Sequence, residues 1–459
     1  MDPISQPLIE DIKDDLMPLI KERRAGALLA VLLDLHPADI AELMAITGDE
    51  DDQAYIFGLL NEPELASAVL AELSTQVREP LVEDIPRAAL ADLVEEMSSD
   101  DAADLIQELP TERVQQVLDE IEEEELEAVQ PLLAYDEETA GGIMATEVLA
   151  IGEGATVGDA LELVRTKGEE YDPFFYVYVQ DSHGRLQGIL SLKNLVMHGP
   201  ETSVLDACNR EPVSVPVTMD QEEVALIFRR YDLLAVPVID DKQRILGRIT
   251  IDDVVDVMRE EADEDIARMA GTDEEEFDET SIRKIVFYRL PWILASVAGG
   301  FLAGVLLDYF AMNMALGISL VAFVPMIMAM GGNAGSQAAI TMVRLLALRK
   351  LNRSEVLGIL WREARVGMFL GGITGLSMGV IAYFWKGAWY YGVVVGASMA
   401  MAVLVAASMG AMTPILFKKL KVDPAIATGP FVTVSNDATG LLIYFGLAIF
   451  LLRFFSGAN

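Results

Sequence analysis

The chain has 459 residues, enough for roughly two to four domains, and its 73 acidic and 33 basic residues give a net charge of −40. The charge is divided by position, since residues 1–280 carry a net −49 and residues 281–459 a net +9. A polyanionic front half excludes nucleic acid as a partner and favours cations, metal ions above all. The single cysteine, Cys208, excludes a disulfide framework within the chain and fits a reducing compartment.

Residues 1–135 are predicted to form an acidic, all-α superhelical domain. Three similar segments, HPADIAELM, RAALADLVEEM and DDAADLIQELP, begin at His36, Arg87 and Asp100, with apolar residues at helical spacing and prolines between helices. In SSDDAAD the carboxylates open a helix, where they are favourable even without a metal. The first residues lack a basic stretch followed by an apolar one, so no signal peptide is predicted and the front half is expected in the cytosol.

Residues 136–262 contain an internal repeat with a period of 59 residues. Each copy reads as a helix, a β-rich segment, a turn, a strand and a final helix, which predicts two α+β domains at 136–200 and 201–262. The matched positions are Gly188 with Gly247, Ser191 with Thr250, and Asn194 with Asp253. A purely structural dimerisation role is the alternative to ligand sensing.

Residues 263–283 form an acidic connecting segment, predicted to be helical, and the carboxylates run densely from Glu260 to Glu279. They stand directly before the first apolar stretch and repel one another when no cation is present. A flexible acidic linker is the alternative. The position between a sensor and a membrane domain favours a lever that moves a gate.

Residues 284–459 are predicted to form a transmembrane domain of five helices. Each stretch has roughly the 20 apolar residues that cross ~30 Å of hydrocarbon. Buried helices of a large soluble protein are the alternative, but such proteins do not place five of these stretches in succession. The predicted spans are about 290–307, 316–343, 366–385, 391–416 and 426–452.

Loop charges predict the orientation. Basic residues cluster between spans 2 and 3 (Arg344, Arg349, Lys350, Arg353, Arg362 and Arg365) and between spans 4 and 5 (Lys418, Lys419 and Lys421). Arg283, Lys284 and Arg289 precede span 1. The positive-inside rule places these segments in the cytosol, and an odd number of spans then places the C-terminus outside.

Asp437 lies in the apolar run of span 5, about a dozen residues from either end and so near the predicted bilayer midplane. A charge at that depth costs several kcal/mol, so it should face a protein interior or a watery cavity. A protonated aspartate that locks helix packing is the alternative. Pro424, Gly429 and Pro430 interrupt the start of the span and free carbonyls that could line such a cavity.

Span 2 carries a similar motif, PMIMAMGGNAGSQ, which predicts a second break. Gly331 and Gly332 beside Asn333 are interpreted as pore lining, and close helix packing by small residues is the alternative for the glycines. The spans contain no cysteine or histidine, so the chemistry is that of oxygen ligands. A lone carboxylate with carbonyls suits a hard cation, and Mg²⁺ would be held through its hydration shell.

The repeat, with its QGILSLKNLV and GRITIDDVVD segments, resembles a tandem pair of cystathionine-β-synthase (CBS) domains, a regulatory module that often binds adenine nucleotides. That resemblance implies ATP as a candidate ligand. The nucleotide-facing positions would be Ser191, Asn194, Thr250 and Asp253.

Together with GGNAGSQ and DPAIATGP…ND, the whole arrangement resembles the MgtE family of bacterial magnesium channels. The resemblance implies a homodimer in the bacterial inner membrane, closed when internal Mg²⁺ binds the cytosolic domains. It implies a hydrated Mg²⁺ site at Asp437, with backbone oxygens of Gly429 and Thr433. The implied regulatory positions are Asp100, Asp101, Asp104, Asp220, Glu222, Asp232, Asp253, Asp256, Glu261 and Glu264.

Two other functions compete with a Mg²⁺-gated, Mg²⁺-selective channel. One is a secondary transporter of divalent cations coupled to H⁺ or Na⁺, in which the intramembrane aspartate would carry the proton. The other is a membrane-anchored CBS nucleotide sensor. No nucleophile–base set or phosphate loop supports an enzyme. The expected partners are divalent cations, membrane lipid and a second copy of the chain.

Overall fold

The computed structural model describes residues 9–168, 174–279, 281–313, 317–348 and 351–456. The chain divides into two compact units, Met1–Met258 and Arg259–Asn459. The basic residues Arg349 and Lys350, used in the orientation argument, lie outside the described residues.

The described part of the first unit, from Ile9 on, begins with ten short helices, and the repeated apolar spacing predicted this helical character. Their buried faces carry leucine, isoleucine and valine, and alternate helices pack together, for example the third on the fifth and the fifth on the seventh. His36 is the N-cap of the third helix, and its side chain accepts a hydrogen bond from the Ala38 amide. The helices are α1 (Ile9–Lys21), α2 (Ala25–Leu32), α3 (Pro37–Thr47), α4 (Glu50–Phe57), α5 (Pro63–Glu72), α6 (Thr75–Asp84), α7 (Arg87–Glu95), α8 (Ser99–Glu108), α9 (Thr111–Leu118) and α10 (Glu123–Val129).

The internal repeat folds into two small mixed sheets of the same design. In each, a parallel pair precedes an antiparallel pair, and the antiparallel register shifts at equivalent places, after Val179 and after Val238. The strands are β1 (Ala150–Gly152), β2 (Tyr176–Gln180), β3 (Leu186–Ser191), β4 (Val215–Pro216), β5 (Ala235–Ile239) and β6 (Ile245–Thr250). The helices are α11 (Val157–Lys167), α12 (Leu192–Met197), α13 (Val204–Ala207) and α14 (Gln221–Tyr231).

The matched glycines of the repeat have a packing reason. A methyl group on Gly188 would lie 2.5 Å from the Cys208 sulfur and 2.8 Å from the Asn209 carbonyl oxygen. Gly247 is held as tightly against the carbonyl of Ala145. In both copies the absent side chain lets another backbone segment bridge to the strand.

The acidic connection is one long helix, α15 (Ile251–Ala270), followed by the short α16 (Glu275–Asp278). α15 runs without interruption across residue 262, where the domain boundary was predicted. The last helix of the second CBS copy and the first part of the connecting segment are therefore one rod.

The second unit consists mostly of apolar helices. They are α17 (Ile282–Asn313), α18 (Gly317–Val321), α19 (Val324–Leu348), α20 (Arg353–Lys386), α21 (Trp389–Lys419) and α22 (Pro430–Ser456). Helix α19 packs against α21 and α22, α20 lies along α21, and α17 packs on α22. Among the described residues, four helices are long and apolar enough to cross a membrane: Ile282–Met312, Arg353–Lys386, Trp389–Lys419 and Ala425–Phe455.

The second predicted span, α19, is not among these four. Its 25 residues are long enough to cross ~30 Å, but Asn333, Gln337 and several glycines lower its mean hydropathy. The break predicted for PMIMAMGGNAGSQ does not occur within the motif, because α19 is continuous from Val324 to Leu348, and an interruption lies just before it, ahead of Pro325. The glycines serve helix packing instead, since α22 and α21 approach closely at Gly335.

The basic loop between spans 2 and 3 is also shorter than predicted. α20 begins at Arg353, with Asn352 as its N-cap, so Arg362 and Arg365 lie on the helix and not in a loop. Close packing of α20 on α21 is provided by a glycine at every fourth position. A methyl group on Gly375, for example, would lie 2.5 Å from the Gly396 carbonyl oxygen. The repeat is Gly367, Gly371, Gly375 and Gly379.

Candidate ion pathway and acidic regulatory cluster

The first two turns of α22 carry the polar residues of the candidate pathway. Thr433 and Asp437 are four residues apart and share one face, on which Thr433 is exposed and Asp437 half-buried. The Thr433 hydroxyl donates a hydrogen bond of 3.3 Å to the Gly429 carbonyl oxygen, and its amide reaches the same oxygen at 3.4 Å. The structure therefore joins Thr433 to Gly429 and places Asp437 one turn further along the same face of α22.

Asp437 lies two turns into α22. Helix α22 begins at Pro430, since a proline is favoured in the first turn of a helix, where its missing amide costs nothing. Asp437 is then seven residues into the helix, about 10 Å from its start at 1.5 Å per residue. Within the candidate span Ala425–Phe455 it lies twelve residues from the start, and the basic residues Lys418, Lys419 and Lys421 precede that span.

Helix α19 adds polar groups beside α22. Asn333 and Gln337, again four residues apart, are both exposed on one face, and Gly332 lies next to Thr433. Gly331 instead faces Ala406 of α21. Three α19 residues were assigned to the pathway. Gly332 lies next to Thr433 of α22 and Asn333 is on the exposed face of α19, whereas Gly331 lies against α21 and contacts neither.

Asn436 was missed by the sequence analysis although it stands next to Asp437. It is 2% exposed, packs directly on Gly335 of α19, and its side-chain nitrogen has no hydrogen-bond partner among the described residues. The only indication of Asn436 in the sequence is its place between Ser435 and Asp437. Asn436 fixes the rotation of α22, because turning the helix would drive this side chain into the backbone of α19.

The end of α15 contacts the start of α22. The Arg268 guanidinium lies 2.5 Å from an Asp423 carboxylate oxygen and also pairs with Glu264 on its own helix. Gly271, with φ of +79°, lies against Pro430, and Gly429 lies against the Met269 carbonyl. Only a residue without a side chain reaches this left-handed backbone conformation at little cost. The acidic rod thus ends at the entry to the candidate pathway.

This junction holds a crowded group of carboxylates. Partial burial, with repulsion from Asp423 and Glu261, raises the pKa of Asp265 to about 6. Asp423 caps the turn that follows it by accepting a hydrogen bond of 2.8 Å from the Ala425 amide. The sequence analysis singled out neither Asp423 nor Asp265. It interpreted the Asp423–Pro424 pair only as an interruption of the helix.

A second crowded group lies in the first unit, where the start of α8 faces the start of α15. Burial raises the pKa of Asp100 to about 6, with repulsion from Asp101 adding to it. Burial and the nearby Asp100 charge raise the pKa of Asp253 to about 8. Desolvation, with repulsion from Asp100 and Asp101, raises the pKa of Asp104 to about 7, although this residue is partly exposed to solvent.

Glu147 belongs to the same cluster and was missed, since it is distant in sequence from every acidic motif. The Ser99 amide and hydroxyl donate to its two carboxylate oxygens at 3.2 and 3.0 Å. Burial raises the pKa of Glu147 as well, with Asp100 contributing. Three separate segments of the chain therefore supply carboxylates that disfavour one another's ionised forms.

The remaining predicted regulatory residues are dispersed. Asp220 is the N-cap of α14 and accepts from the Glu222 amide at 3.0 Å, whereas Asp232 is its left-handed C-cap. These two carboxylates bracket the helix and are roughly 18 Å apart along its axis, too far to share one ion. Asp256, Glu261 and Glu264 follow one another along α15. In the described part of the chain, no three acidic, histidine or cysteine side chains are arranged to hold one metal.

The two nucleotide-facing positions differ between the repeats. In the second copy, Asp253 accepts hydrogen bonds from the amide and the hydroxyl of Thr250, at 3.1 and 2.8 Å. In the first copy, Asn194 accepts from the Ser191 hydroxyl but donates to the Ala207 carbonyl at 2.6 Å. The amide of Asn194 is thus held by the protein's own backbone.

The fold and these sites define a membrane-embedded divalent cation transporter with an acidic helical domain and a CBS pair. Family models agree, matching an MgtE intracellular N domain at 35–138, CBS domains at 140–201 and 204–260, and a divalent cation transporter domain at 324–447. The chain is 38% identical over 442 residues to a magnesium transporter of Enterococcus faecalis, covering 96% of this chain and 97% of the relative. It belongs to the MgtE family of magnesium transporters.

Other relatives give the same result. A magnesium transporter of Thermus thermophilus is 36% identical over 71% of this chain and 72% of its own length. The crystal structure of the cytosolic domain of the Mg²⁺ channel MgtE in complex with ATP matches with a TM-score of 0.50 and 33% identity, over 53% of this chain and 99% of that one. The soluble part of a magnesium transporter matches with the same score at 30% identity, over 55% and 99%.

Proposed function

We propose that this transporter is a Mg²⁺-selective channel of the bacterial inner membrane, closed by internal Mg²⁺ that binds its acidic domains. The observation that carries the proposal is the start of α22. There the Asp437 carboxylate and the Gly429 carbonyl lie along one face. The acidic helix α15 ends against Gly429 and Pro430, at the start of that face. A single structural element thus joins an oxygen-lined ion site to a sensor of cations.

The pathway chemistry suits a hydrated ion. Mg²⁺ sheds water reluctantly, so a half-buried carboxylate two turns inside the helix would accept hydrogen bonds from the hydration shell. The Gly429 carbonyl and the Asn333 amide supply further oxygen acceptors. The matching open faces of α19 and α22 favour a homodimer in which two copies enclose the pathway, with the basic ends in the cytosol and the C-terminus outside.

Regulation follows from the raised carboxyl pKa values. In the packed arrangement, desolvation and mutual repulsion disfavour the ionised forms of Asp100, Asp104 and Asp253, and at neutral pH Asp253 keeps most of its proton. A divalent ion among these carboxylates replaces repulsion with attraction and binds the packed state more tightly than the loose one. α15 starts at this cluster and continues as one helix to Ala270, so we infer that tightening at its start acts on the gate.

Adenine nucleotide binding is a secondary part of the proposal. It is supported by the ATP complex of the related cytosolic domain and by the polar pair Thr250 and Asp253. The second copy is the favoured position, since the corresponding amide of Asn194 is already engaged.

Magnesium uptake into proteoliposomes containing a Mg²⁺-sensitive dye tests the pathway. Asp437→Asn keeps the shape of the side chain and removes its charge, so the variant should insert normally and lose selective Mg²⁺ flux by an order of magnitude or more. The matched control is Asp308→Asn, an exposed aspartate of α17, which should transport as the wild type does. Undiminished, selective flux through Asp437→Asn would exclude this residue from the pathway.

A further inference from the structure

A groove opens on the outer surface of α20 and α21, near the basic end of the helix bundle and apart from the candidate pathway. Its volume is about 420 Å³, within the ~300–1,000 Å³ typical of small-molecule sites. Apolar side chains dominate the lining. They include Met368, Leu404, Val405, Met409 and Met412.

The groove exists because small residues interrupt larger ones. Ala364 of α20 and Ser408 of α21 are among its lining residues, and the two helices are in close contact nearby, where Gly367 packs on Ala407. A methyl group on Gly367 would lie 2.9 Å from the Ala407 side chain. The two helices therefore cannot move together to fill the space.

Among the residues that the structure describes, one charged side chain, that of Arg365, lines the groove. Arg365 is exposed and makes no hydrogen bond or ion pair with any residue that the structure describes. Its neighbour Arg362 differs, since it pairs with the buried Glu363 at 3.0 Å. Trp361, 64% exposed, precedes Arg365 by one turn of α20 and also lines the groove, and tryptophan and arginine mark the boundary between hydrocarbon and headgroups.

We infer that this groove binds an anionic phospholipid, with its phosphate at Arg365 and part of an acyl chain along the methionine and leucine side chains. An unpaired guanidinium at the headgroup level attracts phosphate, and basic pockets between transmembrane helices bind such headgroups. Methionine side chains adapt their shape to a flexible chain. The inference rests on the membrane placement of α20 and α21, and not on ion selectivity or gating.

Quenching of Trp361 fluorescence by a brominated lipid measures which lipid occupies the groove. The chain has four tryptophans, so the other three are replaced first. With Trp292, Trp385 and Trp389 replaced by phenylalanine, the full-length protein is reconstituted in phosphatidylcholine vesicles containing ~10% brominated phosphatidylglycerol, and separately with brominated phosphatidylcholine at the same fraction. Bromine quenches only a tryptophan that it contacts. One basic residue near the membrane surface contributes ~1 kcal/mol, so phosphatidylglycerol should be enriched around Trp361 about fivefold.

Arg365→Gln should reduce this enrichment to that of bulk lipid, and Arg365→Lys should retain most of it. Arg344→Gln removes the same charge from α19, does not line the groove, and should leave the enrichment unchanged. Equal quenching by both lipids, or enrichment that survives Arg365→Gln, would overturn the inference by showing an ordinary lipid-facing surface. Absence of quenching by either lipid would also overturn it, because a second copy of the chain would then cover the groove.

Discussion

Replacing Asp100 by asparagine should stabilise the first unit when Mg²⁺ is absent. The pKa of this buried carboxyl rises from 3.8 to about 6, chiefly by burial and then by the Asp101 charge. Below about pH 3.8 the carboxyl is protonated in both the folded and the unfolded chain, so stability is fully present there. As pH rises towards 6, the unfolded chain loses this proton first, and stability falls. The loss of about two pKa units corresponds to about 3 kcal/mol above pH 6.

Asparagine removes that cost while its carbonyl oxygen still accepts from the Asp101 amide, as Asp100 does at 3.1 Å. Hydrogen exchange of the α8 amides in the full-length protein, corrected for intrinsic rates, measures the effect at pH 7.5 without Mg²⁺. Opening of α8 should be up to roughly a hundredfold rarer in Asp100→Asn. Added Mg²⁺ should protect the wild type more than the variant.

The control for this experiment is Asp92→Asn, an exposed aspartate on the neighbouring helix α7, which should exchange as the wild type does with and without Mg²⁺. Faster exchange of α8 in Asp100→Asn would refute the reasoning. Asp100 would then be a stabilising helix-terminal charge and not a member of a mutually repelling cluster.

Three further outcomes follow from the second unit. With Cys208 replaced by serine, a cysteine at Leu351 should resist an impermeant thiol reagent in intact cells and one at Ala388 should react; the reverse pattern would invert the proposed orientation. Gly410→Ala pushes a methyl group into the Gly335 backbone and should lower the free energy of unfolding by about 1–3 kcal/mol. Gly372→Ala, with open space around it, should leave the free energy of unfolding unchanged. Equal stability of the two variants would contradict the packing of α21 on α19. Arg268→Gln breaks the ion pair with Asp423 and should raise the internal Mg²⁺ needed for closure several-fold, unlike Arg259→Gln, whose exposed side chain lies 4.0 Å from Asp263; unchanged closure in Arg268→Gln would remove the junction from the gate.

Local patterns in the sequence were enough to predict the architecture. Helical spacing predicted a helical N-terminal domain, and the 59-residue repeat predicted two similar α+β domains. The two sheets have the same strand order and equivalent register shifts. The apolar runs predicted the long helices of the second unit, of which four are long and apolar enough to cross a membrane among the described residues. The polar helix α19 was harder, because its glycines fit both a break and close packing, and only the neighbours at Gly335 and Gly410 decide between them.

Sites built from distant segments could not be predicted in the same way. Glu147 joins Asp100 only because a loop before the first sheet returns to the start of α8, and Asp423 joins Arg268 across 155 residues. No local spacing records either contact. Hydropathy likewise did not show that α22 begins at Pro430, seven residues before Asp437.

Patch-clamp recording of the reconstituted channel, with Mg²⁺ varied on the side of the acidic domains, tests the central claim most directly. The wild type should conduct at low internal Mg²⁺ and close as it rises. A variant with Asp253, Asp256, Glu261 and Glu264 all neutralised loses ligands of the closed state. Neutralisation also relieves repulsion, but a bound divalent ion contributes more than screened surface charge, so the variant should stay open where the wild type is closed. Closure of both proteins at the same internal Mg²⁺ would contradict the account.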